Sequence, residues 1–451
     1  MRAAAALLAV CVAGGCHATM DSLGYTAETA SGGIGGAGAG VAGAGVGGAG
    51  VAGTGVAGAG VGGAGGIRLP PPETLHPVTG PASYPNPLHD VLGQSNTAIT
   101  QKIQSVFNQL FVKGDPNTQA IYVTVGTDQG YVLDVLHNQV RTEGQSLGMM
   151  IAVQLNQRTI FDNLWRYAKA KLQVMDGPTA GYFNSFCDSA DQMTSNPCLD
   201  PFGFQQFVTS LIFAHDRWGS AGQVDYQADA LALYHTMRGT AAPGADAGAG
   251  TPTFDATANL PYTQPAPSPP AQTRPSVVMP GYYVVWAQAF ADPTFTAAVS
   301  SGRTFLTAAS HPSSGLTAAR TTFAGVPVSG WAVFNPEAYR TQVNMVIDEF
   351  WTGGTTYTAV LNRLLAFFTT EGFSTYGTSY SWDGMTEINT AHETSLVVAN
   401  AVAAGASSNT DRIQYLNALW NMSVPTLNSR YFAGIMQLWA LLILGGQFQI
   451  Y

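Results

Sequence analysis

Glu143 stands in "VRTEGQSLGMMIAVQL", beside Gly144, with Met149, Met150, Ile151, Val153 and Leu155 following at helical spacing. A carboxylate there has two readings. It occupies the first turn of a helix, where the macrodipole favours an acid, or it is a proton donor whose pKa an apolar pocket lifts. Glu337, in "NPEAYR", also has a structural role open to it, because Asn335 followed by Pro336 makes a good helix start. Asp200 closes "NPCLD", and a turn Asp commonly bonds its own backbone. Other chemistries lack their residues. No phosphate-cradling P-loop is present. His89, His215 and His392 are scattered without paired metal spacing. Ten residues lie between Cys187 and Cys198, and in an oxidising compartment a disulfide closing that loop is plausible. A metal is the weaker alternative, since two thiols alone supply too few ligands. No cofactor is called for.

The elements that must position these groups are helical. Asn96–Phe111 sets Ile99, Ile103, Val106, Phe107 and Leu110 on one face. Similar patterning predicts helices over Glu143–Leu155, Arg158–Leu172, Gln205–Arg217, Gln223–Met237, Tyr282–Ala297, Glu337–Trp351, Thr356–Phe368, Ala391–Ala404, Asp411–Asn421 and Tyr431–Leu444. The last is apolar but falls short of the roughly twenty residues a bilayer needs, so it reads as a core helix. Arg238–Pro275 is rich in Pro, Ala, Gly and Thr and reads as a long surface excursion. Many paired helices and few strands suggest a helical bundle, toroid or solenoid, and the absence of a regular repeat weakens the solenoid.

The totals agree with an exported globular domain on a leader. Of 451 residues, 46% are hydrophobic and only 10% are charged, well under the roughly 25% of an ordinary chain. Net charge is −9 and the pI about 5.2, with no basic stripe, so nucleic acid is not an expected partner. Residues 1–16, "MRAAAALLAVCVAGGC", read as an export signal. Two outcomes fit it: acylation at Cys16, as in a lipoprotein, or plain secretion after cleavage nearby. Residues 17–80 are Gly/Ala-rich, with recurring "GAGVAG" units, then Pro-rich, and read as a flexible tether. Residues 81–451 form the folded part. The expected location is the cell envelope or outside the cell, with any membrane association through the lipid alone, and the expected state is a monomer.

"RTEGQSLGMMIAVQL" followed by "FDNLWRYAK" resembles glycoside hydrolase family 8, in its branch of xylan and xylo-oligosaccharide hydrolases. "NPLHDVLGQS", "GDPNTQAIY", "GTDQGYVLDV", "NPCLD", "AHDRWG", "EAYRTQVNMVID" and "GGQFQIY" match in order, from about Asn86 to Tyr451. The resemblance implies an all-α (α/α)6 barrel, a toroid of six inner and six outer helices around a sugar-binding cleft. It implies hydrolysis of β-1,4-linked glycans by inversion, with two carboxyls about 6.5–9.5 Å apart and a water between one of them and the sugar. Glu143 matches the general acid. Glu337 stands where the family has an Asp general base, one methylene longer. Asp200 matches a carboxylate that binds the sugar at the cleavage point, and Arg340 and Asn344 match positions on the following helix. Tyr131, Tyr182 and His392 are candidate sugar contacts, with Phe183 and Tyr282 as further platforms. The chain departs from the pattern at Leu147, Val277, Val278 and Ser185, where the family has ring side chains. Those departures favour, as an alternative, a diverged member that binds carbohydrate and cleaves it slowly or not at all.

Overall fold

A computed structural model describes residues 73–188, 198–240 and 250–451, with the side chains of Cys187 and Asp188 excepted. The signal, Cys16 and the tether up to residue 72 therefore lie outside the described residues, as does the Cys187–Cys198 pairing.

Twelve of the described helices alternate between two environments. Six are buried on all sides: α3 (Thr142–Gln154), α5 (Pro201–Trp218), α7 (Pro280–Ala289), α9 (Tyr339–Thr352), α11 (Thr394–Ala406) and α13 (Phe432–Leu444). The other six bury one stripe: α2 (Asn96–Phe107), α4 (Arg158–Lys171), α6 (Tyr226–Arg238), α8 (Pro293–Ala309), α10 (Thr358–Gly372) and α12 (Arg412–Asn421). A short α1 (Pro87–Asp90) precedes them. A helix apolar all round belongs inside, and one with a single apolar stripe belongs outside. Each fully buried helix contacts the next, α3 to α5, α7, α9, α11, α13 and back to α3, so the inner ring closes. This is the (α/α)6 barrel that the sequence led us to expect.

Three small antiparallel sheets decorate one end. β1 (Tyr122–Val125), β2 (Gln129–Asp134), β3 (Gln139–Arg141) and β4 (Phe186–Asp188) pair in that order, and β3 runs directly into α3. β5 (Gln272–Thr273) pairs with β6 (Thr321–Thr322), and β7 (Val333–Phe334) with β8 (Ser379–Ser381), which pairs with β9 (Glu387–Asn389).

Several boundaries moved for local reasons. α5 begins four residues earlier than the periodicity predicts, because Asp200 caps it and Pro201 is pre-set for its first position. The single helix expected over Tyr282–Ala297 is two: Ala291 adopts φ 47°, Asp292 caps, and Pro293 opens α8. The Arg238–Pro275 segment, read as a surface excursion, is partly interior, with Thr253, Leu260, Thr273 and Arg274 buried. Among the described residues no helix is long and apolar enough to cross a membrane.

Candidate active site

The inner helices all start at the same end of the barrel, and the polar residues that matter sit at those starts. Glu143 is the second residue of α3. Asp200 is the N-cap of α5. Arg274 precedes α7, joined to it by the 3-10 turn Pro275–Val277. Glu337 lies in the turn before α9, with Arg340 in its first turn. Glu393 occupies the N-cap position of α11, and Tyr431 and Phe432 open α13. Helix N-termini carry the positive end of the macrodipole, so this end of the ring suits acidic groups.

Two cavities occupy it. The first, of about 50 Å³, is lined by Arg141, Glu143, Asp200, Arg274, Glu337 and Arg340, with Ser185, Leu199, Pro336 and Phe432. The second, of about 390 Å³, shares Arg141, Glu143, Pro336 and Phe432 with it and adds Asp134, His137, His392, Glu393 and Tyr431 among others. Glu143 therefore faces both.

Glu143 and Glu337 are each met by an arginine from a distant part of the chain. Arg340 donates through Nη1 to Glu143 Oε1. Its guanidinium also lies 4.4 Å from the centre of the Phe202 ring. Arg274 donates through Nη1 to Glu337 Oε1 and through Nη2 to the Thr263 carbonyl at 3.0 Å. Burial raises the pKa of Glu143; Arg340 opposes that shift, the Asp200 charge adds to it, and the result stays above the ordinary carboxylate value. Burial draws Arg274 downward, yet the charges of Glu337 and Asp200 outweigh it and hold the guanidinium above its usual value.

Asp200 combines two roles the sequence left as alternatives. Its Oδ1 accepts from the Phe202 N–H at 3.0 Å, capping α5, while the same carboxylate lines the small cavity. Gly203 makes this possible: a Cβ there would come within 2.5 Å of Thr142 Cγ2 and 2.9 Å of Asp200 Oδ2.

His392 reaches the larger cavity, with Nδ1 2.9 Å from the Tyr376 carbonyl. Asn344 is buried in α9 and donates to the carbonyls of Ser276 at 2.9 Å and Val278 at 3.3 Å. Two expected sugar contacts are elsewhere. Tyr182 is buried, its hydroxyl bonded to the Thr251 carbonyl at 2.7 Å and to Thr253 Oγ1, so its ring is core. Tyr131 packs on Tyr167 with ring centres 5.1 Å apart and lines neither cavity. Phe183 and Tyr282 are likewise core residues. Of the departures, Leu147, Val277 and Val278 are fully buried, whereas Ser185 lines the small cavity. "GQSLG", Gly144–Gly148, has the spacing of a serine nucleophile elbow, but Ser146 lies inside α3 and donates to the Glu143 carbonyl at 3.0 Å.

Sequence reasoning missed Arg274, Arg141, Phe432 and Glu393. One signal marked Arg274: it is the only Lys or Arg between Arg238 and Arg303. Among the described residues no His, Cys, Asp and Glu side chains cluster in a way that holds a metal ion.

The family model described as "Glycosyl hydrolases family 8" matches residues 123–445. A reducing end xylose-releasing exo-oligoxylanase from Halalkalibacterium halodurans is 31% identical over 370 residues, covering 80% of this chain and 92% of that protein. The structure of Rex8A from Paenibacillus barcinonensis complexed with xylose superposes with a TM-score of 0.75 at 29% identity, over 82% of this chain and 98% of the other. Endoglucanase C from Ruminiclostridium cellulolyticum is 24% identical over 381 residues, covering 81% of this chain and 76% of that protein.

Proposed function

This chain belongs to glycosyl hydrolase family 8 and is a glycoside hydrolase, and from that premise we propose an exported, inverting enzyme that cleaves β-1,4-linked xylo-oligosaccharides. The substrate class rests on the two relatives at about 30% identity, one named for releasing xylose and one solved with xylose bound.

The small cavity supports the following roles. Glu143, whose pKa burial raises, gives its proton to the glycosidic oxygen as the bond to the anomeric carbon breaks. Glu337 takes a proton from water as that water attacks the anomeric carbon from the opposite face, which inverts the configuration. Asp200 accepts from a hydroxyl of the sugar at the cleavage point. The observation that carries this reading is that Glu143, Asp200 and Glu337 line one cavity, with Glu337 Oε2 left without a hydrogen-bond partner. His392, which lines the larger cavity together with Glu143, contacts the leaving sugar in this reading.

The leader is part of the proposal: residues 1–16 direct export, residues 17–80 tether the domain, and Cys16 is acylated. Membrane partition of the full chain against Cys16→Ser tests the anchor; equal partition refutes it.

The activity is tested by incubating the protein with xylo- and cello-oligosaccharides and following product anomers by NMR. Release of α-anomeric xylose products, lost in Glu143→Gln, is the expected result. Retained β-configuration refutes inversion. Binding without release overturns the catalytic assignments in favour of a carbohydrate-binding role.

A further inference from the structure

We infer that Arg274 is a positioning residue for the base: it grips one oxygen of Glu337, a residue that lines the small cavity, and leaves the other oxygen without a partner. This inference rests on the reading of Glu337 given above. Glu337 Oε1 accepts from Arg274 Nη1, while Glu337 Oε2 is buried without a hydrogen-bond partner. A free carboxylate oxygen in an interior is costly unless something polar meets it. The small cavity that Glu337 lines, about 50 Å³, has room for a water molecule, which needs roughly 10–15 Å³ of such space.

Arg274 is itself held in place. Its Nη2 donates to the Thr263 carbonyl at 3.0 Å. The backbone that follows is pinned from two inner helices: Gln205 Nε2 of α5 donates to the Val277 carbonyl at 2.8 Å, and Asn344 Nδ2 of α9 donates to the carbonyls of Ser276 and Val278. Asn344 lies on the helix that Glu337 precedes, so the arginine and the carboxylate are referred to one scaffold. A Glu reaches one methylene further than an Asp and has one more rotatable bond. A fixed two-armed donor removes that freedom and pulls the carboxylate into one orientation.

The groups facing Glu337 across the cavity are Arg141, Glu143, Asp200 and Arg340, with Cys198 adding to the electrostatics around Arg274. Arg340 is engaged with Glu143, which leaves Arg274 as the cation bonded to Glu337. Losing Arg274 therefore leaves that carboxylate free to turn, and the loss falls on kcat.

The test compares Arg274→Met, Arg274→Lys and Glu337→Gln in the full-length protein, by kcat and KM on xylo-oligosaccharides. In Arg274→Met, kcat falls about 10²-fold, the cost of a misplaced catalytic group, while KM stays within about twofold. Arg274→Lys keeps the charge but loses the fork, and kcat recovers about tenfold relative to Met. Should Arg274→Met fail to fold, the Lys variant decides: wild-type kcat there overturns the inference. Wild-type kcat in Arg274→Met overturns it too, as does a loss expressed entirely in KM. Glu337→Gln separates the two readings. If it keeps wild-type activity, Glu337 is not the base; if it is inactive while Arg274→Met behaves as wild type, only the inference about Arg274 falls.

Discussion

Gly144→Ala isolates how tightly the start of α3 is held. A Cβ at this position would sit 2.8 Å from Tyr431 Cε2, 2.9 Å from its hydroxyl oxygen and 3.2 Å from Val132 Cγ1. Ordinary contact begins near 3.4 Å, so the ring or the helix start must give by about 0.6 Å. Tyr431 is only 4% exposed and packs at the start of α13, so it cannot simply swing into solvent. Glu143 is the neighbouring residue and takes part of the shift. A full 1 Å misplacement costs about 10²-fold, so a shift of this size costs about 10-fold in kcat, roughly 1.4 kcal/mol of barrier. Stability moves less. Overpacking costs about 1–3 kcal/mol, and replacing a helical Gly with Ala returns about 1. The assay is steady-state kinetics beside thermal unfolding. Wild-type kcat in a variant that folds normally would refute the claim that Gly144 is required by the Tyr431–Glu143 approach.

Three further outcomes are expected. Glu143→Gln removes the proton donor, and kcat drops about 10²–10⁴-fold while the alkaline limb of the pH profile disappears; a surviving limb would assign it to another group. Arg340→Met removes the cation that opposes the raised pKa of Glu143, so the alkaline limb moves to higher pH; a downward shift would contradict the pairing. Glu349, remote from the cleft, accepts from the Tyr357 N–H, and burial pushes its carboxyl up to about 7. Its folded value is raised, so its contribution is full below the ordinary value near 4.5 and is lost as pH rises through about 7, a change of roughly 3 kcal/mol. Glu349→Gln flattens that slope in denaturant titrations between pH 5 and 8; parallel curves would show that Glu349 does not titrate there.

The sequence alone determined the helices and the family. Apolar spacing over Arg158–Leu172 matches an outer helix to within one residue, and that over Asn96–Phe111 matches another whose last turn, from Asn108, continues as a π-helix, because an outer helix carries one buried stripe and a polar remainder. Ordered motifs around Glu143, Asp200 and Glu337 named the acids that the barrel gathers. Hydrogen bonds between neighbours are also legible: Asp200 capping α5 and Pro201 at its first position follow from local chemistry.

Tertiary structure alone decided which of these groups meet and what surrounds them. Arg340 and Glu143 are 197 residues apart and Arg274 and Glu337 are 63 apart, and no periodicity links them. Arg274 hides in a Pro- and Ala-rich segment that reads as surface until the barrel closes over it. Tyr182 packs in the core and Tyr131 against Tyr167, outside both cavities, for the converse reason. An aromatic ring has the same composition in a core as in a cleft, and only its neighbours settle which face is free. Spacing along a chain encodes short-range order, whereas desolvation and charge pairing depend on what arrives from elsewhere in the fold. The raised pKa of Glu143 and the grip of Arg274 on Glu337 are of the second kind.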